Sequence, residues 1–118
     1  MNELGRQAED RAAAYLKTRG YKILAMRWSC PMGELDIVAM DGGTLVFAEV
    51  KARSSFAYGL PAEMVGGRKR ARIVKAALSY IKAARARPEA VRFDVISFGP
   101  GPDPEHIVNA FDTSGYTY

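Results

Sequence analysis

The chain has one cysteine, Cys30, and one histidine, His106. A lone cysteine cannot close an internal disulfide and suits a reducing compartment. Together the two are too few for a Cys/His zinc site, which takes four nitrogen or sulfur ligands. Any metal bound here must therefore be held mainly by oxygen, and that favours Mg²⁺ or Mn²⁺. No apolar run approaches the ~18 residues of a membrane span. Met1 to Ala14 mix acidic, basic and polar side chains, unlike a secretion signal. These absences lead us to expect a cytoplasmic protein without a membrane partner.

One further absence is local. No acidic residue lies between Glu63 and Glu89, yet that window holds Arg68, Lys69, Arg70, Arg72, Lys75, Lys82, Arg85 and Arg87, 8 of the 17 basic side chains. The net charge of +4 is modest, so this concentration says more than the total. It suggests a polyanionic partner such as nucleic acid; a solvated helix face is the plainer alternative.

What is present fits one domain, 1–118, with 48% apolar residues to build a core. In residues 3–19, Leu4, Ala8, Ala12, Tyr15 and Leu16 recur at helical spacing, and Gly20 is a stop signal. Residues 21–28 read as a strand, closed by a break at Ser29-Cys30-Pro31. Residues 34–41 and 44–52 read as two strands joined by Gly42-Gly43, a strong hairpin signal. Breakers fill 53–67.

A helix is expected from 68 to 85, with Ile73, Val74, Ala77, Tyr80, Ile81 and Ala84 on one face and Arg68, Arg72, Lys75, Ser79 and Lys82 on the other. Strands at 91–98 and 106–111 follow. The order α-β-β-β-α-β-β implies an α/β fold with a mixed sheet flanked by helices.

The hairpin carries the chemistry. Pairing Asp41 with Thr44 places Val38 opposite Phe47, Asp36 opposite Glu49 and Glu34 opposite Lys51, all on one face. The other face is apolar: Leu35, Ile37 and Ala39 against Val46, Ala48 and Val50. Two carboxylates about 5 Å apart repel by ~3 kcal/mol at an effective dielectric near 20. A divalent cation between Asp36 and Glu49 reverses that sign. Lys51 is then placed to orient or deprotonate an attacking water, or to stabilise phosphate charge. A ladder of salt bridges, Glu34 to Lys51 with arginines on Asp36 and Glu49, is the competing reading.

The segments G-E-L-D-I-V (33–38) and F-A-E-V-K-A-R (47–53) resemble the restriction-endonuclease-like superfamily, whose signature is Asp…(Asp/Glu)-x-Lys. The likeness is closest to the YraN family of small bacterial proteins, which are similar to archaeal Holliday junction resolvases. It extends over Gly5 and Glu9, the run 20–24, Gly59, Pro61, Lys69, the run 92–95 and the run 109–111. Leu35 stands where the superfamily's name has proline, and Ala8 where a glycine is expected before Glu9. The resemblance implies a restriction-endonuclease-like fold with metal on Asp36 and Glu49, Lys51 as the catalytic lysine, and Glu9 approaching from the first helix.

The functions weighed are a Mg²⁺- or Mn²⁺-dependent endonuclease hydrolysing a phosphodiester bond in nucleic acid, with branched DNA as substrate class, and a nucleic-acid-binding protein that kept the fold with little catalysis. An assembly factor whose charges form only a salt-bridge network is a third. Arg53, Arg68, Lys69, Arg72, Lys75 and Lys82 are the expected nucleic-acid contacts. A symmetric cutter of four-way junctions needs two sites, which implies a homodimer. His106, Trp28 and Cys30 read as packing residues, and Asp94 as the partner of an arginine.

Overall fold

A computed structural model gives the fold; it describes residues 3–52 and 67–111. Helix α1 spans Glu3–Thr18, strands β1, β2 and β3 span Lys22–Cys30, Gly33–Asp41 and Thr44–Ala52, helix α2 spans Gly67–Ala84, and strands β4 and β5 span Ala90–Phe98 and Glu105–Ile107. The five strands form one sheet in the order β1-β2-β3-β4-β5. All neighbours are antiparallel except β3 and β4, which run parallel from Thr44↔Ala90 to Ala52↔Phe98. A parallel neighbour needs a crossover, and α2 lies on that connection.

The apolar periodicities select the layers. α1 buries Ala8, Ala12, Ala13 and Leu16 against Ile37, Ala39, Ala48, Ile96 and Phe98 on one face of the sheet. α2 buries Ile73, Val74, Ala76, Ala77 and Tyr80 against Val38, Leu45, Phe47, Phe93 and Val95 on the other. With a helix on each side, β2 and β3 are apolar on both faces, as central strands of such a sheet must be.

Both helices end in the same way. Tyr21 N donates to Leu16 O and Gly20 N to Lys17 O, each at 3.0 Å, with Gly20 at φ 90°. At the end of α2, Ala86 N donates to Ile81 O and Arg85 N to Lys82 O, but the left-handed position is held by Arg85 at φ 54°.

The hairpin register is as the sequence predicts, with Asp41 opposite Thr44 and Val38 opposite Phe47. Gly42 supplies the positive φ of the turn, 62°. Gly43 instead leaves room: a Cβ there would run into the Glu89 carboxyl, and the Glu89 N–H donates to Gly43 O.

Four expectations are corrected. β1 runs on through Ser29 to Cys30, which pairs with Gly33 across a Pro31-Met32 turn, so the supposed break is a second hairpin. β5 stops at Ile107 because Asn109 turns at φ 55°, although Ala110 N still donates to Phe93 O. Ala84, assigned to the packed face of α2, lies exposed at its end.

The fourth concerns the pleat. Leu35 packs with Val38 and Phe47 on the α2 side, not with Ile37 on the α1 side. Its partner Trp28 does the same, whereas Met26, opposite Ile37, packs toward α1. Between these two levels lies Arg27, at φ 51°. A left-handed residue interrupts strand alternation, so both strands change faces there. Asp36 sits at that level of β2.

Candidate active site

Asp36 marks the end of regular pairing between β2 and β3, whose ladder runs from Asp41↔Thr44 only as far as Ile37↔Ala48. Past that point the Asp36 carboxylate replaces a backbone partner: Val50 N donates to Asp36 Oδ2 at 2.8 Å. The strands part here because a side chain occupies the space of the ladder. The side chains of Asp36 and Glu49 line the same cleft, so the two converge rather than diverge.

Convergence is costly to Asp36. Burial first, and then the charge of Glu49, push the Asp36 carboxyl up to about 8.

Other carboxylates close in from the α1 side. Glu9 is only 4% exposed and accepts a hydrogen bond from Arg27 Nη1 at 3.0 Å. Burial nevertheless holds its carboxyl above the ordinary range. The left-handed turn at Arg27 coincides with this ion pair, in which the strand residue reaches back to the first helix. Carboxylate oxygens of Glu9, Glu34 and Asp36 lie within 4.8 Å of one another, close enough to share an ion. Glu34, which the hairpin register assigned to Lys51, instead accepts a long hydrogen bond of 3.4 Å from Ser29.

Cations approach from the other side. Lys69 Nζ, on the first turn of α2, lies 2.9 Å from Glu49 Oε1, and Lys51 Nζ lies 4.0 Å from the same oxygen. Burial and the neighbouring Lys69 ammonium lower the Lys51 pKa. Lys69, drawn to Glu49, is raised. A cleft of about 360 Å³ opens here, with Glu34, Asp36 and Glu49 on one wall and Lys69, Arg72 and Ile73 on the other.

The sequence profile of the uncharacterised protein family UPF0102 matches residues 8–98, which includes α1 from Ala8 onward, the hairpin, α2 and β4. The chain belongs to this family. It is the YraN family that the hairpin motif resembles. A UPF0102 protein of Geobacter metallireducens is 46% identical over 112 residues, 92% of either chain. One of Syntrophus aciditrophicus is 44% identical over 111 residues, covering 92% of this chain and 87% of the relative. One of Syntrophotalea carbinolica is 43% identical over 116 residues, 96% and 94% of the two chains.

In this UPF0102 chain, the residues singled out in the sequence divide into three groups. Asp36, Glu49, Lys51 and Glu9 come together, and Lys69 joins them. Arg68, Arg72, Lys75 and Lys82 are exposed along α2, with Arg72 also at the cleft. Arg53 lies outside the described residues.

Strand alternation already grouped Glu34 with Asp36, Glu49 and Lys51, but not its approach to Glu9, and Lys69 was not foreseen as the partner of Glu49. Lys69 stood out in the basic run and in the family resemblance, neither of which reveals what its helix faces.

Asp94 is a separate matter. Its buried carboxylate accepts from Arg92 Nε and Nη2 at 2.9 and 3.0 Å, and from Asn109 N at 2.9 Å. His106 Nε2 lies 2.8 Å from Asp94 Oδ2. A carboxylate only accepts, so Nε2 carries a proton, and Nδ1 lies 3.1 Å from Tyr15 OH. The hydrogen bonds from His106 and Arg92 outweigh burial and hold the Asp94 carboxyl below its ordinary value. Asp94 thus pairs with an arginine, as expected, and His106 serves packing.

Proposed function

We propose that this protein is a divalent-cation-dependent phosphodiesterase acting on nucleic acid, with branched DNA the substrate class that the resolvase-like motif suggests. The observation that carries the reading is the meeting of Asp36 and Glu49 at a cleft whose opposite wall is the basic helix α2, with Lys51 Nζ 4.0 Å from Glu49 Oε1. The donor set suits a hard cation. It is all oxygen, and burial together with the charge of Glu49 holds the Asp36 carboxyl well above its ordinary value. Asp36 and Glu49 would hold the ion, with Glu34 and Glu9 as the nearest further carboxylates. A cation bound there polarises a phosphoryl oxygen and lowers the pKa of its water.

The chain's own groups supply the rest. Lys51, largely buried and lowered in pKa, is suited to take a proton from water or to steady charge on phosphate. Arg68, Arg72, Lys75 and Lys82 recur along one exposed helix face and would neutralise phosphates flanking the reacting bond. Binding by such a stripe weakens steeply as salt rises.

The test is cleavage of branched DNA with Mg²⁺ or Mn²⁺. Asp36→Ala and Lys51→Ala are each expected to lose about 10²-fold or more in rate, while salt-dependent binding persists. If both variants cut as fast as the parent protein, the reading is wrong. Salt-dependent binding without metal-stimulated cleavage by the parent protein would leave the binding-protein alternative.

A further inference from the structure

Resting on the metal-centre reading above, we infer that Lys69 is a built-in countercation for Glu49, which a divalent ion must displace, so that metal loading releases the Lys69 ammonium toward a bound polyanion. Glu49 is 6% exposed and its Oε1 faces two ammonium groups. Lys69 holds the nearer place at 2.9 Å, against 4.0 Å for Lys51. An ammonium at hydrogen-bond distance from that buried carboxylate and a divalent ion on the same group would repel each other. The two therefore compete for Glu49.

The position of Lys69 in α2 supports the same conclusion independently. The first turn of a helix favours acidic side chains, because the unpaired backbone N–H groups there carry partial positive charge. α2 has no acid in its first turn, and Arg68, Lys69 and Arg70 follow one another directly after Gly67. Three cations at that end oppose the helix field, and for Lys69 the buried Glu49 carboxylate offsets the cost. Once a metal takes Glu49, that compensation is gone and Lys69 needs another anion.

Arg72, one turn further along, lines the same cleft, and Arg68 is exposed beside it. A phosphate entering the cleft meets this group of cations. The polyanion and the metal consequently favour each other. Each removes a competitor of the other, and such coupling is reciprocal. The competition also lowers apparent metal affinity by the fraction of molecules in which Glu49 is free.

The test is calorimetric titration with Mn²⁺ alone, without nucleic acid. Lys69→Met and Lys69→Gln are expected to bind Mn²⁺ roughly 10-fold more tightly than the parent protein. Arg72→Met removes one cation from the same cleft without touching Glu49, and should shift affinity by no more than about threefold. Lys69→Arg, which keeps a cation on Glu49, should stay near the parent protein.

Tighter Mn²⁺ binding by both neutral Lys69 variants than by the parent protein and by Arg72→Met would support the inference. Neutral variants no tighter than Arg72→Met would overturn it while leaving the metal centre standing. No Mn²⁺ uptake by the parent protein or any variant would overturn the metal-centre reading itself.

Discussion

Asp36 carries opposite demands at the scale of a single residue: it suits a cation and burdens the fold without one. Its carboxyl, raised to about 8 against an ordinary value near 3.9, penalises the ionised form. Stability from this group is complete below about pH 4 and is lost as pH rises through about 8. Asp36→Asn keeps an oxygen for Val50 N and removes the charge. In the presence of a chelator it should melt higher than the parent protein at pH 9, by roughly 3–5 °C for each 1 kcal/mol relieved, and about equal to it at pH 4. Scanning calorimetry at the two pH values checks this.

Asp94 behaves in the contrary sense. Its folded pKa is lowered, so its contribution is present above the unfolded value and disappears as pH falls through the folded one. Asp94→Asn should cost about 1.5–3 kcal/mol at pH 7 in urea unfolding, because it removes the buried charge that Arg92 and His106 hydrogen-bond, while Arg92 keeps Asp41 at 3.2 Å. The deficit should shrink in acid. Among these residues, Asp36, Glu49 and Lys51 were legible in the sequence because the glycine turn fixes a hairpin register that carries them to the same end, although pairing stops at Ile37↔Ala48. Lys69 was not, since its contact depends on where a separate helix lands.

At the scale of elements, the two helix ends make a comparison within one molecule. Gly20 occupies the left-handed terminal position freely, but Arg85 holds it at φ 54° with a Cβ that crowds the backbone. Arg85→Gly should therefore stabilise the protein by about 0.5–1 kcal/mol, the relief of that strain less the extra entropy of an unfolded glycine. Thermal melts against the parent protein decide it, and destabilisation would show that the Arg85 side chain matters more than its backbone.

The turn at Gly42-Gly43 is why the hairpin register could be read in advance. The exchange of faces at Arg27 could not be, because nothing in an arginine signals positive φ. That single turn moved Leu35 to the α2 side and brought Arg27 onto Glu9. Pro31, taken as a break, proved to be a tight turn, which allowed β1 to continue to Cys30.

For the molecule as a whole, α1 and α2 cover opposite faces of the sheet, yet each sends a side chain to the parting of β2 and β3: Glu9 from one and Lys69 from the other. The alternation of helices and strands announced the layers. The place where both layers reach through the sheet follows from interrupted pairing, which periodicity does not encode. If α2 is the polyanion-facing layer, replacing Arg68, Arg72, Lys75 and Lys82 with glutamine should flatten the salt dependence of DNA binding. The log–log slope should fall by about 0.9 for each phosphate that the helix no longer neutralises. Binding isotherms at several salt concentrations measure that slope, and an unchanged slope would move the interface elsewhere.

The central claim is that the meeting point of Asp36 and Glu49 is a cation site, and anomalous diffraction from crystals soaked in Mn²⁺ tests it most directly. The expected result is one strong peak in contact with carboxyl oxygens of both residues, lost in crystals of Asp36→Asn. A map without a peak there, at a Mn²⁺ concentration that labels other surface carboxylates, would contradict it.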